Sequence, residues 1–482
     1  MIDKLFKKYK ELPAEIKASF WFLISSFFQR GISVITTPIF TRIMSTNEYG
    51  EFSVFYSWYG IITIIVTFNL FYGVYIRGLV TYDNEKEKFT SAMQGLMLTL
   101  VVIWFVVYLI FKKYINNILN ITTFQMICMF LIIWTTGVYN FWAAYQRVAL
   151  SYIKLVSLSM ITSVVSPIVQ IVIMNFESDK VNARIIGILI VNFCFYFVLF
   201  WKQIESGKIF YDKKIWKYAL SFNIPLIPHY LSQTVLNSSD RIMIGKMVGA
   251  EQAGIYSLAY SISQIMSIFN VALMQTIEPW LYKKIKNDET NSIKKIAYPA
   301  FALVAIVNLI LIALAPEIVR FFAPTEYYNA IWIIPPVAMS VFFMFTYTFF
   351  AVFEFYFKKT QYITIATLIG AVINIVLNYI FIGVYGYYAA GYTTLFCYIL
   401  YSLFHYIFMK KIIKDYLENK QIYNGKLILG IIVLFVLSGY LLMITYKMPV
   451  IRYGLVFVIV FIILINFKNI VTFIKKIMAE RK

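Results

Sequence analysis

The chain has little of the chemistry that most enzymes need. Its 482 residues include only two histidines and three cysteines, and charged residues make up 14% of the total. Cys128, Cys194 and Cys397 lie singly in apolar segments, so their spacing indicates neither a disulfide framework nor a metal site. The sequence has no glycine-rich loop of the nucleotide-binding type. We therefore expect a protein that is not an enzyme and that has no cofactor.

Acidic residues are scarce as well. The chain has 23 Asp and Glu against 43 Lys and Arg, which gives a net charge of +20. Such a charge can indicate nucleic-acid binding, but that function requires a basic face on a soluble module. Here the basic residues lie in short segments between apolar runs. We expect no nucleic-acid partner.

Apolar residues are abundant, at 61% of the chain, and the mean hydropathy is +0.74. Apolar runs of membrane-spanning length recur from end to end, which indicates an all-α membrane protein. We predict fourteen transmembrane helices, an even number that places both termini on one side. Their approximate bounds are 18–42, 52–76, 90–111, 123–146, 155–175, 185–201, 218–239, 254–282, 296–316, 328–353, 361–382, 387–409, 427–446 and 449–467.

The basic residues test this count, because Lys and Arg in short loops are retained on the cytoplasmic side. With the N-terminus inside, 32 of the 43 basic residues fall in cytoplasmic segments and ten in outer segments. A miscounted helix would scramble this alternation, so the split supports both the count and cytoplasmic termini. The one basic residue left over is Arg30, inside the first helix.

An internal repeat organises the helices. "TRIMSTNEYGEFS" (41–53) resembles "DRIMIGKMVGAEQAGIYS" (240–257), and weaker matches follow in the same order at offsets of roughly 200 residues. We predict two parallel six-helix lobes around a central cavity, followed by two appended helices, with domains 1–202, 203–415 and 416–482. The offset that superposes Arg42 on Arg241 also superposes Arg30 on His229, so we predict that these two residues line equivalent walls.

A charge at mid-membrane depth is costly and normally faces a bundle interior or a water-filled cavity. Arg30 therefore predicts an anion site, since a guanidinium binds phosphate through two parallel hydrogen bonds. The alternative is that Arg30 snorkels or pairs with a partner such as Gln29. His229, between Pro225 and Pro228 and the helix end, is either a titratable substrate contact or a packed polar residue.

The remaining charged candidates lie near helix ends. We interpret three of them mainly as members of local ion pairs: Arg42, Asp240 and Arg241. The second interpretation is that either arginine binds substrate or that Asp240 binds a coupling ion. Arg77 fits a topology determinant that also attracts anions. Two glutamates are interpreted mainly as interfacial residues and secondly as proton or sodium coupling sites; they are Glu278 and Glu354. His405 is interpreted as an isolated core residue.

One family resemblance is carried by three stretches. "AVINIVLNYIFIGVYGYYAAGYTTLFCYI" (371–399) resembles helix 11 and the following turn of the oligosaccharide flippases of the polysaccharide transport family, relatives of multidrug and toxic-compound extruders. Residues 37–58 and 221–262 resemble the helix 1–2 and helix 7–8 motifs of that family. The resemblance covers about residues 10–470. Three residues match its structural positions: Asn374, Asn378 and Gly386. We interpret both asparagines mainly as helix-packing residues.

The resemblance implies a flippase for undecaprenyl-pyrophosphate-linked oligosaccharide in the bacterial cytoplasmic membrane, serving O-antigen, capsule or similar polysaccharide assembly by alternating access. Its partners would be that glycan, membrane lipids and polysaccharide polymerase machinery. Without an ATP site, work would come from a proton or sodium gradient, the membrane potential or the gradient of the substrate.

Three alternatives stay open at this stage. A lipid II flippase would usually carry several deep arginines, whereas here only Arg30 is deeply placed. A drug extruder would need acidic cavity residues. A membrane scaffold for a polymerase would not need Arg30 at all.

Overall fold

The structure is a computed structural model that describes residues 13–418 and 420–465. Within these ranges the chain is helical and contains no β-strand. It divides into two compact units, residues 1–238 and 239–482. The all-helical prediction is confirmed. The predicted lobe boundaries at 202 and 415 remain a prediction.

The first unit is built from nine helices in its described part, the last of which continues into the second unit. Short turns, several of them closed by side-chain caps, connect the helices; Ser45 with Glu48 and Thr122 with Gln125 each form a capping box. The helices are α1 (Ala14–Ile43), α2 (Thr46–Thr67), α3 (Val74–Thr81), α4 (Lys86–Leu119), α5 (Thr123–Val148), α6 (Tyr152–Phe176), α7 (Lys180–Gly207), α8 (Lys213–Asn223) and α9 (Ile227–Met247).

The second unit continues from α9 with nine further helices in its described part. They are α10 (Ala250–Ser263), α11 (Ile265–Lys286), α12 (Lys294–Ala313), α13 (Ala315–Phe322), α14 (Ile334–Tyr356), α15 (Thr360–Tyr385), α16 (Tyr388–Tyr416), α17 (Gly425–Ile444) and α18 (Pro449–Ile465). Helix α14 forms the centre of this unit, and almost its whole length is buried. Phe345, Phe349 and Phe350 on α14 pack with Phe301 of α12, whose ring lies 5.0 Å from that of Phe349.

Eleven helical segments of the described residues are long and apolar enough to cross a membrane. Three of our fourteen predicted spans fall outside this set. The hydropathy of α2 is lowered by Tyr, Ser and Gly, and that of α9 by His229, Asp240 and two basic residues. Helix α18 is too short for the set, with 17 described residues. The exact count of fourteen remains a prediction.

The predicted span 52–76 is wrong as a single helix. Helix α2 ends at Thr67, Phe68 and Asn69 adopt left-handed backbone angles with φ of 49° and 54°, and α3 begins at Val74. The side chain of Asn223 donates hydrogen bonds to the carbonyl oxygens of Phe68 and Asn69, at 2.8 and 2.9 Å. The break persists because a distant amide satisfies carbonyls that a buried helix end would leave unpaired.

The predicted span 218–239 is wrong as a single helix. Helix α8 ends at Asn223, a 3₁₀ turn spans Ile224–Leu226 with Pro225 in it, and α9 begins at Ile227. Pro225 has no N–H to donate to the preceding turn, so it contributes no α-helical hydrogen bond at this break.

One arginine of the first unit, Arg184, contacts side chains from three other helices. The guanidinium carbon of Arg184 on α7 lies 3.8 Å from the ring centroids of both Phe40 on α1 and Phe52 on α2. Its Nε donates to Gln170 Oε1 on α6, at 3.3 Å. Four helices thus meet at one cation, which our sequence analysis had counted only as a basic residue of an outer segment. Each such ring contact contributes about 0.5–2 kcal/mol.

Close helix packing in the first unit depends on Gly95 of α4. A Cβ atom at this position would lie 2.0 Å from the backbone carbonyl oxygen of Phe210. We expect Gly95→Ala to destabilise the protein by about 1–3 kcal/mol or more, because a backbone atom cannot turn away as a side chain does. Thermal unfolding of the purified protein in detergent measures the effect.

The matched control is Gly430→Ala in α17. A Cβ atom there would have no heavy atom within 4 Å, so this variant should keep the wild-type melting temperature. Equal melting temperatures for the two variants would contradict the packing described at Gly95.

Candidate functional site

Arg30 lies near the middle of the 30-residue helix α1. Its side chain is exposed, and no hydrogen bond or ion pair is made by it within residues 13–418 and 420–465. Gln29, the partner considered in the sequence analysis, instead donates to the carbonyl oxygen of Ser25 at 3.2 Å. Ser25 is buried and bonds Ser159 on α6, with 2.8 Å between the hydroxyl oxygens. One face of α1 is therefore fixed by packing, and the Arg30 guanidinium is accessible.

His229 also belongs to the first unit. It is half-buried in the first turn of α9, and its Nδ1 has no hydrogen-bond partner in the described part of the chain. The ring lies 5.9 Å from that of Tyr230, which in turn lies 6.2 Å from Tyr72. An imidazole nitrogen that is buried without a partner is available to a ligand or a water molecule.

The other arginines of the predicted site are dispersed. Arg77 on α3 is exposed, and its guanidinium carbon lies 5.4 Å from the centroid of the Phe222 ring. Arg42 is exposed in the last turn of α1, where its guanidinium donates to the carbonyl oxygen of Pro38 at 2.8 Å. Arg241 on α9 is half-buried with its guanidinium carbon 4.3 Å from the Tyr260 ring centroid.

Asp240 is the centre of a buried polar cluster in the second unit. Its carboxylate is fully buried and accepts three hydrogen bonds from neighbouring helices. Tyr256 donates to Oδ2 at 2.5 Å, Thr394 donates to Oδ2 at 2.8 Å, and Asn378 donates to Oδ1 at 2.7 Å. A carboxylate is tolerated at such depth only when hydrogen bonds of this kind compensate for its lost hydration.

The two asparagines of α15 extend this cluster, whose members lie on four helices. Asn378 donates to Asn374 Oδ1 at 3.2 Å and accepts a bond from Thr393 on α16. Asn374 Oδ1 also accepts from Ser239 on α9 at 2.8 Å. We call this set the Asp240 cluster; its members are Ser239, Asp240, Tyr256, Asn374, Asn378, Thr393 and Thr394. Side-chain hydrogen bonds thereby connect helices α9, α10, α15 and α16.

Gly386 ends helix α15 with a φ of 71°. This left-handed angle strains any residue with a Cβ, so the Tyr-Gly pair of the sequence motif marks a turn that needs glycine. The turn places α15, which carries Asn374 and Asn378, beside the antiparallel α16, which carries Thr393 and Thr394.

The interfacial interpretation of Glu354 is wrong. The side chain is fully buried in α14, and its Oε1 lies 2.7 Å from Nδ1 of His405 on α16, which is equally buried. His405 is a core residue as predicted, but it is not isolated. Sequence analysis placed Glu354 at an interface because Lys358 follows within about one turn, whereas the Glu354 side chain points into the protein and Phe355 and Lys358 are exposed. Glu278 on α11 is half-buried.

Comparison with known proteins identifies the family. The model of the family described as "Polysaccharide biosynthesis protein" matches residues 16–285, more than half of the chain. The chain belongs to the polysaccharide biosynthesis protein family. A second model, described as MatE, matches residues 225–380 of this polysaccharide biosynthesis protein.

Two Haemophilus influenzae proteins are similar in sequence. A protein of the Lsg locus is 26% identical over 42% of this chain and 52% of its own length, so the match spans about half of that relative. A membrane protein of the same organism is 21% identical over 74% of this chain and 88% of its own length.

Solved structures show the fold. A multidrug-resistance MATE family transporter in an inward-facing conformation superposes with a TM-score of 0.61, at 11% identity, over 80% of this chain and 95% of the other. The lipid II flippase MurJ in an inward closed conformation superposes with a TM-score of 0.57, at 17% identity, over 90% and 99%. This polysaccharide biosynthesis protein therefore has the fold of multi-pass membrane transporters.

Several residues of the polysaccharide biosynthesis protein were missed by sequence reasoning. Tyr256, Thr393 and Thr394 complete the Asp240 cluster, and His405 binds Glu354. Asp240 lies 138 residues from Asn378, and no local spacing signals that pairing. A usable signal was present for His405, because an imidazole and a carboxylate in two separate apolar helices are each costly to bury alone.

Proposed function

We propose that this protein moves an undecaprenyl-pyrophosphate-linked oligosaccharide from the inner to the outer leaflet of the bacterial cytoplasmic membrane. The glycan would serve O-antigen, capsule or related polysaccharide assembly. Two findings support the proposal: the family match over residues 16–285 and a fold shared with a lipid II flippase.

The observation that carries the proposal is Arg30. A guanidinium that is accessible near the middle of a membrane-length helix and has no carboxylate partner in the described ranges suits an anionic ligand. A diphosphate offers oxygens in the geometry that the two parallel N–H groups of arginine match. We propose that Arg30 binds the diphosphate and that His229 binds it when protonated, with Arg77, Arg42 and Arg241 attracting the anion at the ends of helices.

Energy for transport would come from a proton or sodium gradient or from the membrane potential. We propose Asp240 as the coupling residue, because it is a buried carboxylate surrounded by hydroxyl and amide groups that can rearrange around a bound cation. Glu278, half-buried on α11, is a second candidate for the same role. The distribution of basic residues supports cytoplasmic termini and fourteen spans in two six-helix lobes with two appended helices.

A second candidate function is favoured by one observation, the structural similarity to MurJ. In that case the substrate would be lipid II, whose head group is also a diphosphate-linked sugar. The single deep arginine favours the first candidate, because lipid II flippases usually carry several deep arginines.

Purified protein in lipid vesicles tests the proposal. We expect a fluorescent undecaprenyl-pyrophosphate oligosaccharide to become accessible to an external quencher faster than in empty vesicles. Lipid II and a cationic drug, tested in the same vesicles, should move no faster than without protein. Transport of lipid II alone would establish the second candidate, and transport of the drug alone would contradict both.

A further inference from the structure

Two ionisable side chains form a sealed pair in the second unit. Glu354 on α14 and His405 on α16 are each fully buried, and Oε1 and Nδ1 are 2.7 Å apart. Neither side chain is needed by the Arg30 site or by the Asp240 cluster. At this distance one hydrogen lies between the two atoms, so the pair shares a proton.

The other polar atom of each residue is unpaired. Glu354 Oε2 and His405 Nε2 are buried and have no hydrogen-bond partner in the part of the chain that the structure describes. Buried polar atoms are rarely left unpaired, and such atoms deserve a functional explanation. A structural pair that served stability alone would be expected to satisfy all of its polar atoms.

The surroundings of the pair are aromatic rather than charged. The ring of Tyr347 stacks on His405 at 5.2 Å, and the ring of Tyr401 lies edge-on at 4.5 Å. Tyr401 bonds Thr367 of α15, with 3.2 Å between the hydroxyl oxygens. The other phenols nearby contact the adjoining residues of α14 and α16; they are Tyr398, Tyr406 and Tyr423.

The nearby lysines are directed elsewhere. Lys359 lies over the Tyr416 ring, Lys410 over Tyr406 and Lys411 over Tyr362, while Lys358 is exposed. Across the described ranges, neither Glu354 nor His405 bonds any other ionisable side chain. The pair is neutral when one proton lies between Oε1 and Nδ1 and a second hydrogen is bound to Nε2 of His405. Adding or removing one proton would leave a net charge buried in the pair. In an apolar shell that change is strongly disfavoured.

We propose that Glu354 and His405 form a proton site whose shared proton exchanges only when α14 and α16 separate enough to admit water. The site would take up one proton from the water on one side of the membrane and release one to the other side. No other bond is made or broken. The inference rests on the proposed transport function and adds to it a coupling ion, the proton, and a residue, His405, that carries the ion with Glu354.

Transport against an imposed pH gradient tests the coupling. The full chain in vesicles is given the fluorescent undecaprenyl-pyrophosphate oligosaccharide and a gradient of one pH unit. If one proton moves per cycle, the steady-state ratio of lipid between the leaflets should shift about tenfold. Glu354→Gln, which keeps a hydrogen bond to His405 without exchanging a proton, should return the ratio to about one. The control Glu326→Gln, an exposed carboxyl in the same unit, should retain the wild-type shift.

The proposal would be overturned if the wild-type ratio of lipid between the leaflets did not change with the pH gradient. It would also be overturned if the ratio of the Glu354→Gln variant changed as the wild-type ratio is expected to change. A spectroscopic measurement separates this failure from failure of the proposed function. The chain has two histidines, so His229→Asn leaves His405 as the only imidazole for nitrogen NMR. We expect a hydrogen held between its Nδ1 and Glu354 that exchanges slowly with water, and we expect Glu354→Gln to change the Nδ1 signal.

An Nδ1 hydrogen that exchanges with water as fast as that of an exposed histidine, or an Nδ1 signal that Glu354→Gln leaves unchanged, would reject the shared proton. If the wild type moves no lipid-linked sugar, the proposed function fails, and this NMR measurement alone then decides whether the proton site exists.

Discussion

An Arg30→Ala variant is expected to reach the membrane at the normal level and to lose most of its transport activity. The exposed side chain makes no hydrogen bond or ion pair in the described ranges, so its removal costs little stability. A bidentate bond between a guanidinium and a diphosphate contributes about 1.5–3 kcal/mol, which corresponds to a fall of about ten- to a hundredfold. Vesicle transport and the amount of surface glycan in cells both measure it.

Arg30→Lys separates charge from geometry. A lysine retains the positive charge but offers a single ammonium group, so we expect partial activity between that of the wild type and of Arg30→Ala. The control is Lys113→Ala, which removes one exposed positive charge near the end of α4 and should leave transport unchanged. Normal surface glycan in cells that express Arg30→Ala at the wild-type level would favour the scaffold alternative.

Replacement of Asp240 by leucine is expected to destabilise the second unit by about 3–5 kcal/mol. The change removes the acceptor of three buried hydrogen bonds and leaves the donors on Tyr256, Asn378 and Thr394 without a partner. The measurement is thermal unfolding in detergent.

The Asp240→Asn substitution tests the proposed ion coupling without removing the side chain that the fold needs. The amide keeps the size and one acceptor oxygen, so we expect a folded protein whose transport no longer responds to a sodium gradient. Tyr256→Phe is its control, because it removes one hydrogen bond of the cluster and keeps the carboxylate. A response to a sodium gradient that survives in Asp240→Asn would remove Asp240 from the coupling mechanism.

Most helices could be located from the sequence because lipid requires long uninterrupted apolar runs with internally bonded backbones. The same reasoning did not place the interruption near His229, although Pro225 and Pro228 are a local signal for one. It missed the interruption after Thr67, where the stabilising group is Asn223, more than 150 residues away. The apolar pattern of a sequence indicates which segments lie in the membrane, but the position of a helix end can depend on hydrogen bonds to residues far away in the sequence.

The candidate site shows the same limit. Arg30 was identified because a single charge in an apolar run is conspicuous, and its role as an anion site remains a prediction. Glu354 was misjudged because Lys358 and Lys359 follow it in the sequence. Its carboxyl group pairs with His405 of another helix, whose ring packs against Tyr347 and Tyr401, and this arrangement exists only in the folded protein.

Helix α9 runs without interruption from Ile227 to Met247. His229 and Asp240 are therefore separated by eleven residues of one rod, about 16 Å along its axis. Eleven residues complete just over three turns, so both side chains project in nearly the same direction. Because the segment between them is continuous helix, any shift of α9 along its axis or rotation about it would displace the imidazole together with the carboxylate.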